Sequence, residues 1–221
     1  MLVNKKSSLS LKVVVTLYSF LLAIGGCTQP VPYPVIERPT ISTPVRSKPP
    51  VSSTTIKRSY DGPSNWIPAS ASERRWSAII IHHSATESGN AAIFDKEHKE
   101  RGWEGVGYDF VIGNGNDSGD GKVEVTFRWS RQIQGAHAGG TPNNWANEEG
   151  IGICLVGNFN ENVPTPRQML SLVELVRFLQ QRYGIPTSNI YGHGGTPGAH
   201  QTDCPGKNFS MWRLKLMLNQ G

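Results

Sequence analysis

The stretch Ile79-Ile80-Ile81-His82-His83-Ser84-Ala85-Thr86 constrains the fold more than any other part of the chain. Three β-branched residues in a row predict a buried strand, because such side chains lose rotamer freedom in a helix and pack well on a pleated surface. The run ends abruptly in two imidazoles, where a turn rich in Ser, Thr and Gly begins. A second short strand is expected over Asn189-Ile190-Tyr191-Gly192-His193, and it too ends in a His; Cys204 follows after a Gly/Pro loop, in Thr202-Asp203-Cys204-Pro205-Gly206. Two neutral imidazoles and one thiolate suit Zn²⁺, and three protein ligands leave the fourth tetrahedral position open for water. Spacing alone leaves a second reading open. A His at a strand end can be a satisfied structural residue, Cys before Pro-Gly can be an ordinary buried thiol, and no compact His-Glu-x-x-His motif is present.

With 221 residues the chain has room for one domain, or at most one and a half. The amino terminus uses much of that. Lys5, Lys6 and Lys12 precede an uncharged, largely apolar run from Val13 to Ile24. The run is shorter than the roughly 20 residues that span a bilayer and fits the core of a signal peptide, so residues 1–26 predict export. Ile24-Gly25-Gly26-Cys27 resembles the bacterial lipobox, which makes Cys27 the expected lipidation site; the competing reading is an ordinary signal peptide with an incidental Cys. Nine prolines lie between Thr28 and Pro68 with no apolar periodicity, so residues 27–68 predict an extended tether with no core of its own. Some 35 residues at roughly 3.1 Å each would reach on the order of 100 Å. With Thr28 and not Asp after the Cys, the outer membrane, facing the periplasm, is the expected destination.

The basic charge belongs to that leader. Of 22 Lys and Arg and 17 Asp and Glu, the first 61 residues hold eight basic and two acidic, leaving 14 basic against 15 acidic for the rest. A folded part with that balance gives no case for nucleic-acid binding, though tether cations could touch anionic lipid or wall polymer. Cys154 and Cys204 could form a disulfide in an exported protein. Cys154, however, sits in Gly150-Ile151-Gly152-Ile153-Cys154-Leu155-Val156-Gly157, a strand-like run in which it reads as a small core hydrophobe, which leaves Cys204 free.

Within residues 69–221 the pattern alternates strands and helices. A helix is expected over Asn90 to Arg101, with Ile93, Phe94 and His98 on one face and Gly102 as the stop. Gly105 to Gly113 reads as a strand with Tyr108, Phe110 and Ile112 on one face, and Lys122 to Trp129 as a half-buried strand alternating Val123, Val125, Phe127 and Trp129. Gly135-Ala136-His137-Ala138-Gly139-Gly140 is a glycine-lined loop. Thr165-Pro166-Arg167-Gln168 forms a capping box for a helix that carries Met169, Leu172, Val173, Val176 and Leu179 and stops at Gly184; Phe209 to Asn219 closes the chain as a helix. No internal repeat is apparent. The expected class is α/β, one domain with a central mixed sheet flanked by helices.

Taken in order, these blocks resemble a known family. Ile-Ile-Ile-His82-His83-Ser-Ala-Thr, His98-Lys99-x-x-Gly102-Trp103, Gly107-Tyr108-Asp109-Phe110, Gly135-Ala136-His137-Ala138, the Gly150–Phe159 run, and Gly192-His193 before Thr202-Asp203-Cys204-Pro205-Gly206 are similar to the zinc-dependent N-acetylmuramoyl-L-alanine amidases of type 2. That family shares its fold with the peptidoglycan recognition proteins and the amidase-type phage lysozymes, and the likeness runs from about residue 76 to the end. It implies Zn²⁺ held by His82, His193 and Cys204, and zinc-activated water cleaving the amide between N-acetylmuramic acid and L-Ala in peptidoglycan or a muropeptide. It also implies a catalytic Tyr108, with Thr202 orienting the same oxygen and His137 facing the substrate. Adjacent strand residues point to opposite faces, so His83 is expected to pack behind the metal and not bind it. The His193-to-Cys204 loop looks about three residues longer than in the phage and recognition branches and carries a spare imidazole, His200. A monomer is expected. Two rivals stand beside this reading: a peptidoglycan-binding module without turnover, and a Cys-His peptidase with Cys204 as nucleophile.

Overall fold

A computed structural model describes residues 62–69 and 72–220. The proposed signal peptide, Cys27 and most of the Pro-rich stretch lie outside the described residues. The Ile79–Ile81 run forms the expected strand, β1 (Ala78–His83), with all six residues buried. It has no polar face because it is central: β4 (Gly150–Leu155) and β5 (Ile190–Gly192) pair with it on either side, both parallel. β2 (Phe110–Ile112) runs parallel to β4, and β3 (Val123–Val125) closes the edge antiparallel to β2. The order is β3-β2-β4-β1-β5, the mixed sheet that the alternating pattern called for. Strands covered on both faces read as continuous apolar runs, and β1 and β4 both do.

One face carries most of the core. Helix α4 (Pro166–Tyr183) starts at the capping box, with Thr165 accepting from the Gln168 main chain, and ends at Gly184 in the left-handed conformation at φ 70°. Its Leu172, Leu175, Val176 and Leu179 pack, with Leu214 and Leu218 of α5 (Met211–Asn219), against Ile79, Ile81, Ile151, Ile153 and Leu155 of the sheet. Each fully buried Leu or Ile contributes about 1.5–3 kcal/mol. The Gln168 side-chain amide donates to the carbonyls of Ile112 and Val156, pinning the start of α4 to the sheet. On the other face, α1 (Ala91–Glu100) sets Phe94 against Val106, Val111, Cys154 and Val156.

Three expectations need correction. Lys122 to Trp129 is not one strand: β3 stops at Val125, and Phe127–Arg131 is a short helix, α2. The hydroxyl of Thr126 accepts from the Arg128 main chain as a helix cap, and that local bond outweighs the alternating pattern. The strand expected from Gly105 begins only at Phe110, and Tyr108 packs with Val111 and Cys154 while Phe110 and Ile112 belong to the opposite core. The cause is Asp109: its carboxylate accepts the Gly152 N–H, a bond that a strand carbonyl would otherwise take, so the chain is twisted out of alternation there. Packing also extends into residues assigned above to the tether. Trp66 is buried in the main core with its ring edge-on to Phe178, and its carbonyl accepts from the Trp129 indole. A further short helix, α3 (Trp145–Glu148), had no expected counterpart.

Candidate metal centre

β1 and β5 deliver the two expected imidazoles at their carboxyl ends, the edge of a parallel sheet where ligands are commonly bound. Residue alternation splits the His pair as anticipated. His83 turns to the α5 side, where its Nδ1 accepts the Phe159 N–H at 3.0 Å. His82 faces the other way, beside His193 at 4.7 Å between ring centroids. Cys204 reaches them because the segment around it packs directly on glycines: a Cβ at Gly194 would stand 2.3 Å from the Thr202 carbonyl, and one at Gly192 2.7 Å from Pro205. The Gly194 N–H donates to the Cys204 carbonyl and ties the two loops together. One potential ligand atom from each of His82, His193 and Cys204 lies within 4.8 Å of the others, and among the described residues no Asp, Glu or other His belongs to the cluster. His200 stands apart, its ring lying on Gly140 and its main-chain N–H on the Gly139 carbonyl.

Hydrogen bonding orients His82. His137 Nε2 is 3.2 Å from the Gly150 carbonyl, which can only accept, so this nitrogen carries the hydrogen and Nδ1 is an acceptor. His82 Nε2, 3.1 Å from that Nδ1, then donates, and the His82 Nδ1 lone pair is directed toward Cys204 Sγ at 3.6 Å. Metal-bound imidazoles are commonly held through their far nitrogen in this way. Burial, reinforced by the surrounding imidazoles of His137 and His193, keeps the pKa of His82 well below the ordinary value, so it is the neutral form that a metal requires. Burial lowers that of His137 to about 4 and also depresses His193, whose Nε2 is buried without a hydrogen-bond partner. Burial pushes the Cys204 thiol up to about 12, against the pull of the His83 main-chain N–H. A cation at the site would reverse that and draw out the thiolate. Orphaned nitrogen, neutral imidazoles and a nearby thiol make a donor set that could hold a divalent metal, and two nitrogens with one sulfur suit zinc.

The Tyr108 ring is 5.2 Å from that of His82, and burial raises its phenol well above the usual range, with the Cys154 and Cys204 thiols adding to the shift. Tyr108 therefore remains a hydrogen donor at any physiological pH. The Thr202 hydroxyl accepts from the Cys204 main chain at 3.2 Å, which leaves its own hydrogen to donate. His137 is buried against Gly152, where a Cβ would approach its ring to 2.4 Å, and the Asn147 side-chain oxygen holds the loop by accepting from His137 N and Ala138 N. Among the described residues, Cys154 and Cys204 are both free thiols. The sequence reading assigned no role to His98, whose Nδ1 accepts the Gly107 N–H and whose ring lies between Trp103 and Tyr108, nor to Asn147. His98 could have been found from its place in the shared blocks; nothing local marks Asn147.

The chain has relatives among known proteins. The family described as N-acetylmuramoyl-L-alanine amidase matches residues 72–207, well over half of the chain. Peptidoglycan-recognition protein SC2 of Drosophila simulans is 33% identical over 145 residues, covering 60% of this chain and 70% of that protein. The endolysin of Escherichia phage T7 is 34% identical over 143 residues, covering 61% and 83% respectively. Among solved structures, the N-acetylmuramoyl-L-alanine amidase LysC from Clostridium intestinale URNW superposes with a TM-score of 0.55 at 34% identity, covering 66% of this chain and 86% of that one. With its mixed sheet, its His-His-Cys cluster and a match that takes in β1 through Cys204, the chain belongs to the N-acetylmuramoyl-L-alanine amidase family.

Proposed function

We propose that this protein is a zinc-dependent amidase that hydrolyses the bond between the lactyl group of N-acetylmuramic acid and L-alanine in peptidoglycan. The observation that carries this reading is the pairing of a neutral His82, His193 and Cys204 cluster with a protonated phenol beside it. Zinc in such a site supplies a Lewis acid and makes water acidic enough to act near neutral pH. The protein's own part is to hold and donate. Tyr108 donates to the oxygen that becomes negative as the amide carbonyl is attacked, and Thr202, its lone pair engaged by Cys204 N–H, donates to the same oxygen. His137, bonded through both ring nitrogens, orients His82 and is not free to move protons. A thiol nucleophile is disfavoured, because burial raises the Cys204 pKa and the neighbouring His82 is held neutral.

Recognition without turnover is the rival reading, favoured by the likeness to a peptidoglycan-recognition protein. Digestion of purified sacculi separates the two, with new L-Ala amino ends read by mass spectrometry. Wild type should produce them, chelation should stop them, and zinc should restore them. Sacculus pull-down without any new L-Ala end would leave only the recognition reading. Inhibition by alkylating agents of the zinc-loaded protein, with chelators inert, would favour the thiol peptidase.

We also propose export and lipid anchoring at Cys27 in an outer membrane, supported by the apolar run and the Ile24-Gly25-Gly26-Cys27 sequence. Cys27→Ser should release the protein from membranes or block its processing; a variant that still fractionates with membrane in detergent-sensitive form overturns the assignment.

A further inference from the structure

Residues 106–109 form no regular ladder, yet all four of their carbonyl oxygens are taken. Arg128 Nε donates to Val106 O at 2.6 Å, the Ala136 N–H to Gly107 O at 2.9 Å, the Thr126 hydroxyl to Tyr108 O at 2.7 Å, and the Thr126 N–H to Asp109 O at 3.1 Å. Three of these four bonds come from two residues at the start of α2. Arg128 also donates from Nη1 to the Gln134 carbonyl at 2.6 Å, so one guanidinium joins the chain leading into Tyr108 to the loop leading into His137. It does this from the interior. Arg128 is 2% exposed, and the nearest carboxylate, Glu104, lies 3.8 Å away on a largely exposed side chain. A buried charge is a poor source of net stability, because the cost of taking it out of water offsets what its partners return. What a guanidinium supplies is geometry: a rigid planar fork that can bridge two carbonyls from different segments, which a lysine ammonium on its flexible stem cannot do in the same way.

We infer that Arg128 and Thr126 are positioning residues for the reaction, holding the Tyr108 main chain in register with the His137 loop so that the phenol and the metal ligands meet. The inference rests on the amidase reading above. None of the three metal ligands hangs from this segment: they come from β1, from the end of β5 and from the loop at Cys204. The phenol can therefore be displaced while the metal cluster is left whole, and a misplacement of about 1 Å costs on the order of 100-fold in rate.

The experiment compares wild type, Arg128→Lys and Thr126→Val, each alone and combined with Tyr108→Phe. Zinc content, kcat and KM on a soluble muropeptide, and amide hydrogen exchange over residues 105–109 are measured for each. Arg128→Lys should lower kcat on the order of 10- to 100-fold, with KM within about twofold, zinc content unchanged and exchange at 105–109 faster. In the Tyr108→Phe background the same change should cost less than about threefold in kcat, since the group it positions is already gone. Thr126→Val, which removes the hydroxyl's bonds to the Tyr108 carbonyl and to the Arg128 main chain but keeps the guanidinium, should show the same pattern and serves if Arg128→Lys does not fold. An equal loss of kcat in both backgrounds, a loss of zinc, or an unaltered kcat overturns the inference. Should the wild type release no L-Ala, the amidase reading fails, and the exchange data alone judge the positioning role: unchanged protection of 105–109 in both variants overturns it.

Discussion

On the face covered by α4 and α5, strands β1 and β4 present Ile79, Ile81, Ile151, Ile153 and Leu155, all fully buried among leucines and valines. On the opposite face the same two strands present Ile80, His82, Gly150, Gly152 and Cys154, against which lie an imidazole, a phenol and a glycine-lined loop. The first face is made of interchangeable apolar volume. The second consists of groups with directional needs: His137 fits only because residue 152 has no side chain, and His82 is aimed only because His137 is bonded to Gly150. Stability is thus concentrated on one side of the sheet and chemistry on the other, and substitutions should separate accordingly.

The sharpest break is expected at Cys204. Cys204→Ser should bring L-Ala release to background while sacculus pull-down persists, because a serine hydroxyl is a far weaker zinc ligand than a thiolate. Amidase turnover surviving in the zinc-free variant would remove the metal from the mechanism. Next comes Tyr108→Phe, which keeps the ring and loses only the donor: kcat should fall about 10²- to 10³-fold, equivalent to about 2.7–4 kcal/mol, with KM little changed. Steady-state kinetics on a zinc-replete variant decide it, and full turnover would exclude the phenol.

The other face should give the reverse. Leu172→Ala, at a fully buried α4 position, should cost about 2–5 kcal/mol in urea unfolding, while the kcat of the remaining folded protein stays near wild type. A large loss of kcat in that variant would mean that the faces are coupled. The most gradual effect, spread over several pH units, tests the polar side for stored cost. Burial pushes the Asp109 carboxyl up to about 7, with the Gly152 N–H and Arg128 pulling it back, and one of its oxygens has no partner. A raised carboxyl pKa means that the folded chain keeps this proton where the unfolded chain has lost it. Its contribution is therefore fully present below the unfolded value near 4 and is lost as pH rises through about 7. One proton can give at most about 1.4 kcal/mol per pH unit. Unfolding free energies of wild type and Asp109→Asn from pH 4 to 8 should diverge with that sign, the histidine contributions being common to both. Parallel curves would show that Asp109 titrates normally.

Much of this was legible in the residues. β1 follows from three consecutive isoleucines, and α4 from its capping box, its apolar spacing and its terminal glycine, because in each the interactions that decide the structure lie within a few residues. The division of labour between His82 and His83 needed only strand alternation. The three residues that the family resemblance names as ligands are the three whose donor atoms the fold brings within 4.8 Å of one another. Alternation misled wherever a side chain competed with the backbone for a hydrogen bond. Thr126 turned an apparent strand into α2, and Asp109 turned Tyr108 away from Phe110 and Ile112.

What the sequence determined by itself was therefore the set of elements with a strong local period, their order, and the residue types able to hold a metal. The tertiary structure alone decided that His82, His193 and Cys204 converge, that Tyr108 faces them, that Trp66 joins the core and that Arg128 is buried. Those outcomes depend on partners such as Ala136, Gly152 and Gly194 meeting segments remote in the chain, with gaps of one missing Cβ setting how closely they approach. No local pattern encodes such a distance, because it is fixed only when sheet, loops and helices close together.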